Sequence, residues 1–340
     1  PPPQRAGPRL IRTAHTQKVQ LEITKNKLSF YKYHGREVKL NEIYLSHGSL
    51  YDYQLMPFFN MASKCSFDGV EIIVGRNEEL SNVSLMKKLA ADFKMPIKVL
   101  HCPFNSWQND YWPKKPHEKL MRTVEMAYRL GAKVVVAHTA LSEDGEYKQW
   151  LINELGRYQK ENPDIKIGIE NMPRRFVLFG KLGRTFYNFK KLPYKIRKKI
   201  TYDIAAHHPE YDKFAPIELD DIARSLNSID FLNKFQYVTI DTTHLGTWNC
   251  APHEYLDKIE TSIAHVHLSN YKISREHRTV DDGIMDLARF LSKLTKMKYG
   301  GGITIETDPY SFENHRSFAI TSRKLIDDIK FIKSSLEDGF

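Results

Sequence analysis

An alternation of two patterns constrains this chain more than any other feature. From about residue 41, short apolar runs rich in Val and Ile are each followed by a stretch whose apolar residues fall at helical spacing. The runs cover 42–46, 69–74, 97–101, 133–138, 165–170, 237–241, 264–268 and 303–306. The helical stretches include 80–93, 117–130, 146–159, 219–228, 284–294 and 320–333, with Leu85, Leu89 and Phe93 as one example of the apolar stripe. Strands that are apolar nearly throughout are buried on both faces, which means a parallel sheet covered by helices. Eight such units predict an α/β fold, a single (β/α)8 TIM barrel spanning 41–340. An open doubly wound sheet is the rival, but no Gly-rich phosphate loop follows the first run.

The segment 1–40 reads differently. Residues 1–16 lack periodicity and predict a mobile arm. Val19, Leu21 and Ile23 then alternate with polar residues, a Thr-Lys-Asn-Lys turn follows, and Leu28, Phe30 and Tyr31 come after it, a pattern that predicts a β-hairpin. No stretch approaches the ~20 apolar residues of a membrane span, and no secretory apolar region is visible. Cys65, Cys102 and Cys250 are far apart and form no CxxC pair, which predicts reduced thiols and a cytoplasmic location.

What ends the apolar runs points to chemistry. The third run ends in His101, the fourth in His138, the fifth in Glu170 and the sixth in Asp241, with His244 three residues on. The seventh carries His265 and His267, and the eighth ends in Glu306. In a parallel barrel these ends meet at one face, where active sites lie. Several carboxylates buried together repel one another, and a divalent cation relieves the repulsion. Mixed His and carboxylate donors suit Zn, Mn, Co or Fe better than Ca. His265 lies deeper than His267 on the same strand face and reads as structural, while His47 and Glu71 read equally as pocket lining or as structural residues.

The charge is equally localised. The formal net charge is +10, and residues 171–200 hold ten basic side chains and no acidic one; the remaining residues balance at 41 of each sign. This basic insertion, 172–216, follows Glu170 directly and so belongs over the barrel mouth, where loops form lids. Phe176, Phe179, Phe186, Tyr187, Phe189 and Tyr194 interleave with the cations. The pattern predicts a lid for an anionic small molecule or a nucleic-acid backbone, with Arg175, Lys198 and Lys199 as anion-binding candidates. The plainer reading is a solvated loop or an oligomer contact.

Five segments carry a resemblance: Phe-Asp-Gly-Val-Glu (67–71), Ile-Gly-Ile-Glu-Asn (167–171), Ile-Asp-Thr-Thr-His (240–244), His-Val-His-Leu-Ser-Asn (265–270) and Ile-Thr-Ile-Glu-Thr (303–307). In order and spacing the chain resembles the xylose isomerase-like TIM-barrel superfamily, which includes sugar isomerases, epimerases and endonuclease IV. The resemblance covers 41–335 apart from the basic insertion. It implies two alternative sites. In the epimerase branch one metal is held by the residues matching Glu170, Asp241, His267 and Glu306. The two glutamates there exchange a proton through an enediolate, and His244 would contact a substrate oxygen. That branch often has an Arg six residues after the strand-seven His; Ile273 stands there, with Arg275 and His277 nearby as substrate-binding candidates. In the endonuclease IV branch three zinc ions share nine ligands, of which seven match: His101, His138, Glu170, Asp241, His244, His267 and Glu306. The other two align with Ser274 and Glu276, and Glu276 remains a candidate ligand. The Gly-rich loop of that branch is absent after Glu170-Asn171.

The sequence thus predicts a metal-dependent sugar or sugar-phosphate isomerase or epimerase with one Zn, Mn or Co ion, using Glu170 and Glu306 as the acid/base pair. The alternatives are a phosphodiesterase resembling endonuclease IV, with two or three ions and DNA as substrate, and a non-catalytic barrel that binds partners through the basic insertion. Oligomerisation is left open.

Overall fold

The computed structural model describes residues 30–33, 36–39, 41–104, 110, 112–140, 145–173, 228–272 and 275–339. Eight parallel strands close into a barrel: β3 (Ile43–Ser46), β4 (Gly69–Ile73), β5 (Ile97–His101), β6 (Val134–His138), β7 (Lys166–Glu170), β8 (Tyr237–Asp241), β9 (Ser262–Leu268) and β12 (Ile303–Ile305). Each pairs with its neighbours in sequence order, and β12 closes the ring against β3 and β9. The eight apolar runs are these eight strands.

Period-two alternation sorts their side chains. Leu45, Ile72, Leu100, Val135, Ala137, Ile167, Ile169, Ile240, Val266 and Ile305 point outward into the main core, against helices such as α1 (Leu55–Lys64), α2 (Val83–Asp92) and α3 (Pro116–Leu130). Each such burial removes an aliphatic side chain from water, worth about 1.5–3 kcal/mol. α3 shows the local logic of the covering layer. Pro116 opens it, Leu120, Val124 and Ala127 form the buried stripe, and Gly131, at φ 78°, ends it in the left-handed conformation that glycine adopts at least cost.

The inner positions are different. Tyr44, Val99 and Val136 form a small separate cluster with Val134, but the same layer also holds Gly168, Thr239, His265 and Thr304. Gly168 has a packing reason: a Cβ there would fall within the Thr239 hydroxyl. Two residues further along each strand come His101, His138, Glu170, Asp241, His267 and Glu306, so the inward face carries these side chains to one rim.

Two described N-terminal strands, β1 (Phe30–Tyr33) and β2 (Arg36–Lys39), pair antiparallel with Tyr33 opposite Arg36. The hairpin expected with its turn at 24–27 lies outside the described residues apart from Phe30 and Tyr31. One expectation needs correcting. The single helix expected over 146–159 is two, α4 (Gly145–Asn153) and α5 (Leu155–Glu161), broken where Asn153 and Gly156, both poor helix formers, flank the joint. After β9, an antiparallel pair, β10 (Asn270–Lys272) and β11 (Arg275–Arg278), projects from the ring. The basic insertion, with Arg175, Lys198 and Lys199, and the helix expected over 219–228, apart from its last residue, lie outside the described residues.

Candidate metal centre

The rim side chains converge. Glu170, at the end of β7, is ringed by imidazoles. Its Oε2 lies 3.3 Å from His101 Nε2 and 3.2 Å from His138 Nε2. Its Oε1 lies 2.7 Å from His267 Nδ1 and 3.9 Å from His244 Nδ1. His267 Nδ1 also meets Glu306 Oε2 at 2.9 Å and Asp241 Oδ2 at 3.9 Å. Three groups follow, within each of which the ligand atoms lie within 4.8 Å of one another: Glu170, Asp241, His267 and Glu306; His101, His138 and Glu170; and Asp241, His244 and His277.

Local structure explains the aim of each group. Asp241 caps the helix that follows β8, α6 (Thr242–Thr247), through Oδ1, which accepts the His244 backbone N–H at 3.0 Å. That turn swings His244 back over the rim. Asn171 clamps Asp241 from the neighbouring strand: its Oδ1 accepts the Asp241 N–H at 2.8 Å and its amide donates to the Asp241 carbonyl at 3.1 Å. The sequence reading gave Asn171 no role, although it stands beside Glu170 in the Ile-Gly-Ile-Glu-Asn segment.

A carbonyl only accepts hydrogen bonds, and this fixes three ring tautomers. His101 Nδ1–H donates to the Cys102 carbonyl at 2.7 Å, His244 Nδ1–H to the Asn171 carbonyl at 2.7 Å, and His277 Nδ1–H to the Glu306 carbonyl at 3.0 Å. A neutral ring so held keeps its Nε2 lone pair for an acceptor of electrons, the usual arrangement of metal-binding histidines.

The titration of the site follows from burial set against charge. Burial pulls His267 down, but the carboxylates of Glu306, Glu71 and Glu170 outweigh it and raise its pKa well above the ordinary value. Burial opposes ionisation of Glu170, yet His267, His101 and His138 hold its pKa well below the usual range. Glu306 is likewise lowered, His267 and His277 overcoming its burial. Asp241 goes the other way: burial raises its pKa, with only partial relief from His244 and His277. Burial lowers His138 to about 4. His277 rises to about 9, the Asp241 and Glu306 charges prevailing over burial.

A divalent cation fits this donor set. Asp241 is fully buried, and its Oδ2 has no hydrogen-bond partner. An unpartnered buried carboxylate oxygen costs free energy unless something positive meets it, and this one belongs to the quartet with Glu170, His267 and Glu306. Mixed nitrogen and carboxylate oxygen donors match Zn, Mn or Co.

The structure places the remaining candidates less uniformly. Glu276 is exposed and joins none of these groups; its neighbour His277 occupies the place beside Asp241 and His244. His277 sits at φ 52°, a left-handed conformation uncommon for non-glycine residues, which turns its ring to the rim. Burial lowers the Arg275 pKa, with Arg278 adding to the effect and Asp282 opposing it. His265 lies one layer below His267, as expected, and Glu71 joins it there.

A closed ring of eight strands with a histidine and carboxylate cluster at its carboxyl rim defines a barrel of the xylose isomerase kind. Residues 59–334 match the sequence model of the xylose isomerase-like TIM barrel family, and the chain belongs to that family. Among its relatives, an uncharacterised protein of Mycobacterium leprae is 23% identical over 294 residues, covering 86% of this chain and 96% of its own. An uncharacterised Methanocaldococcus jannaschii protein is 26% identical over 259 residues, covering 71% and 75%. Three solved structures share the fold. A D-tagatose 3-epimerase-like protein has a TM-score of 0.53 at 19% identity, covering 88% of this chain and 98% of its own. A Methylomonas D-allulose 3-epimerase in complex with D-allulose has 0.56 at 15%, covering 86% and 96%. A Brucella melitensis AP endonuclease of family 2 has 0.51 at 12%, covering 83% and 96%. At these identities the likeness is one of fold, and neither the epimerase nor the endonuclease chemistry is decided by it.

Proposed function

We propose that this chain is a metal-dependent isomerase or epimerase acting on a small polyhydroxylated carbonyl compound, a sugar or sugar phosphate. One observation carries the reading: Glu306 belongs both to the metal-binding quartet and to the wall of a cavity of about 170 Å³. His277, Arg76, Tyr51, Leu80 and Phe104 share that wall. The volume suits a small molecule rather than a duplex, and cationic groups stand beside apolar surface.

A divalent cation in the quartet would supply polarisation of the substrate carbonyl and hydroxyl. The chain's own residues do the rest. Glu306, held ionised by His267 and His277, takes the proton from the carbon next to the carbonyl and returns it to the adjacent carbon on the same face. Glu170 was expected to act as the second base, but its oxygens are enclosed by His101, His138 and His267, so it serves as a ligand. Proton return to the opposite face, which epimerisation needs, would fall to His277, which lines the same cavity. Its pKa of about 9 keeps it a proton donor at neutral pH.

A second reading is favoured by a specific observation. His101 and His244 each turn an Nε2 lone pair away from a carbonyl-bound Nδ1–H, and the His101–His138–Glu170 and Asp241–His244–His277 groups offer places for further cations. Such a centre suits hydrolysis of a phosphodiester.

Elemental analysis of the protein purified without added metal separates the two. One ion per chain, lost in Asp241→Asn, with proton exchange into substrate from solvent, supports the isomerase. Two or three zinc ions, with cleavage of abasic-site DNA abolished in His138→Ala, would replace it by the hydrolase.

A further inference from the structure

Below the rim lies a second cluster that the proposed reaction does not use. Glu71, on β4, is fully buried and surrounded by the barrel interior. Its Oε2 is 3.0 Å from His267 Nε2 and 3.2 Å from His265 Nε2. His265 Nε2 lies 2.7 Å from the Thr304 hydroxyl, and its ring stacks on Tyr44 at a centroid distance of 6.0 Å. The Glu71 carboxylate therefore sits between two imidazoles, one of which, His267, turns its other nitrogen to the quartet.

His267 differs from His101, His244 and His277 in the way its ring is held. In His101, His244 and His277 a main-chain carbonyl takes the Nδ1 proton. His267 has no such carbonyl; its Nδ1 points at Glu170 and Glu306, and Nε2 points down the barrel at Glu71. For Nδ1 to offer a lone pair, the single proton of the neutral ring must reside on Nε2, and Glu71 is the acceptor placed to hold it there. Glu71 came from the strand-two Phe-Asp-Gly-Val-Glu segment, 196 positions away in sequence.

We infer that Glu71 is a positioning residue for the metal centre: it fixes His267 as the Nε2–H tautomer, braced by His265 and Thr304, and so sets the affinity of the quartet for its cation. This rests on the reading of Glu170, Asp241, His267 and Glu306 as a metal site. A carboxylate behind a ligating imidazole makes the ring a better donor as well as orienting it, and loss of such a partner typically lowers metal affinity by about 10–100-fold.

The test uses the full-length protein labelled with 15N-histidine and loaded with Zn(II), with Zn(II) affinity measured by chelator competition. The wild type is expected to show one ring, assigned through His267→Asn, with Nε2 protonated and Nδ1 bound to zinc. Glu71→Gln keeps an amide oxygen to accept the proton; it should retain the tautomer, shift the Nε2–H resonance and weaken zinc several-fold. Glu71→Ala removes the acceptor and should weaken zinc by about 10–100-fold. Should Glu71→Ala fail to fold, the Gln variant decides through its Nε2–H shift. A wild-type ring that binds zinc through Nε2, or Glu71 variants with unchanged affinity and an unchanged His267 spectrum, would overturn the inference while leaving the metal site standing. A wild type that takes up no zinc, manganese or cobalt would overturn both.

Discussion

Asp241→Asn should have opposite effects with and without a cation, and the sign follows from one atom. Asp241 Oδ1 caps α6 through the His244 N–H at 3.0 Å, a bond the asparagine carbonyl reproduces. Oδ2 is buried and unpartnered, and burial raises the carboxyl pKa, so the charged form is held at a cost. Leaving a buried polar group unsatisfied costs about 1–3 kcal/mol. Removing the charge recovers part of that cost, less what the new amide loses by going unpaired. With roughly 2 cal/mol/K of unfolding entropy per residue, a chain of this length shifts its Tm by about 1–2 °C per kcal/mol. In EDTA the variant should therefore melt level with or up to about 2 °C above the wild type. With a divalent metal at a hundredfold excess over Kd the wild type gains about 2.7 kcal/mol, and a variant binding about a hundredfold more weakly gains about 0.4 kcal/mol. The order of melting should then reverse. Differential scanning fluorimetry in EDTA, Mn(II), Co(II) and Zn(II) reads both halves. If Asp241→Asn melts several degrees lower in EDTA and shows the wild-type metal shift, Asp241 is an ordinary structural carboxylate and the quartet is not a metal site.

Two further perturbations test the surrounding barrel. His47 is buried and its pKa is lowered to about 4 by desolvation, against a small pull from the Tyr53 carbonyl. Because the folded pKa lies below the unfolded value near 6.5, the unfolded chain binds the proton first as pH falls. Stability present above about pH 6.5 is lost progressively down to about pH 4, by about 3 kcal/mol; His47→Gln should remove that part of the pH dependence of Tm, and an unchanged profile would refute it. Gly168→Ala would drive its Cβ into the Thr239 hydroxyl and should cost about 1–3 kcal/mol in urea unfolding. Thr239→Ala removes a buried hydroxyl that has no partner and should restore most of that loss in the double variant; strictly additive effects would show that the two positions do not collide.

The fold was legible because its signal is periodic and local. Eight Val- and Ile-rich runs mark eight strands within a residue or two, since strands buried on both faces leave no polar side to blur their ends. The rim was legible for the same reason: a charged residue closing an apolar run stands out. What escaped depends on geometry that no spacing encodes. Glu276 and His277 are adjacent, and only the turn of β11, with His277 at φ 52°, decides which reaches the site. Asn171 acts through its amide on the next strand's backbone, a role without a compositional signature. Glu71 was visible as a charge at a strand end, but its partner His267 comes from β9, three strands away around the ring.

The charge on this cluster links the number of cations to the kind of substrate. Glu71, Glu170, Asp241 and Glu306 are four buried or nearly buried carboxylates, and histidines that ligate a metal do so as neutral rings. One divalent ion, with His277 carrying its proton, leaves one net negative charge at the rim; two ions that take His277 as a neutral ligand neutralise it; three make it positive. Unit charges about 4 Å apart interact by about 4 kcal/mol even at an effective dielectric constant of 20, so the residual sign decides what approaches. A one-ion centre suits a neutral sugar at the metal, with any phosphate held at a distance by a separate basic group such as Arg76 on the cavity rim. A phosphodiester whose phosphorus must reach the rim needs at least two ions to be drawn there. Metal count and substrate charge are therefore one question, and the ion stoichiometry answers it before any substrate is known.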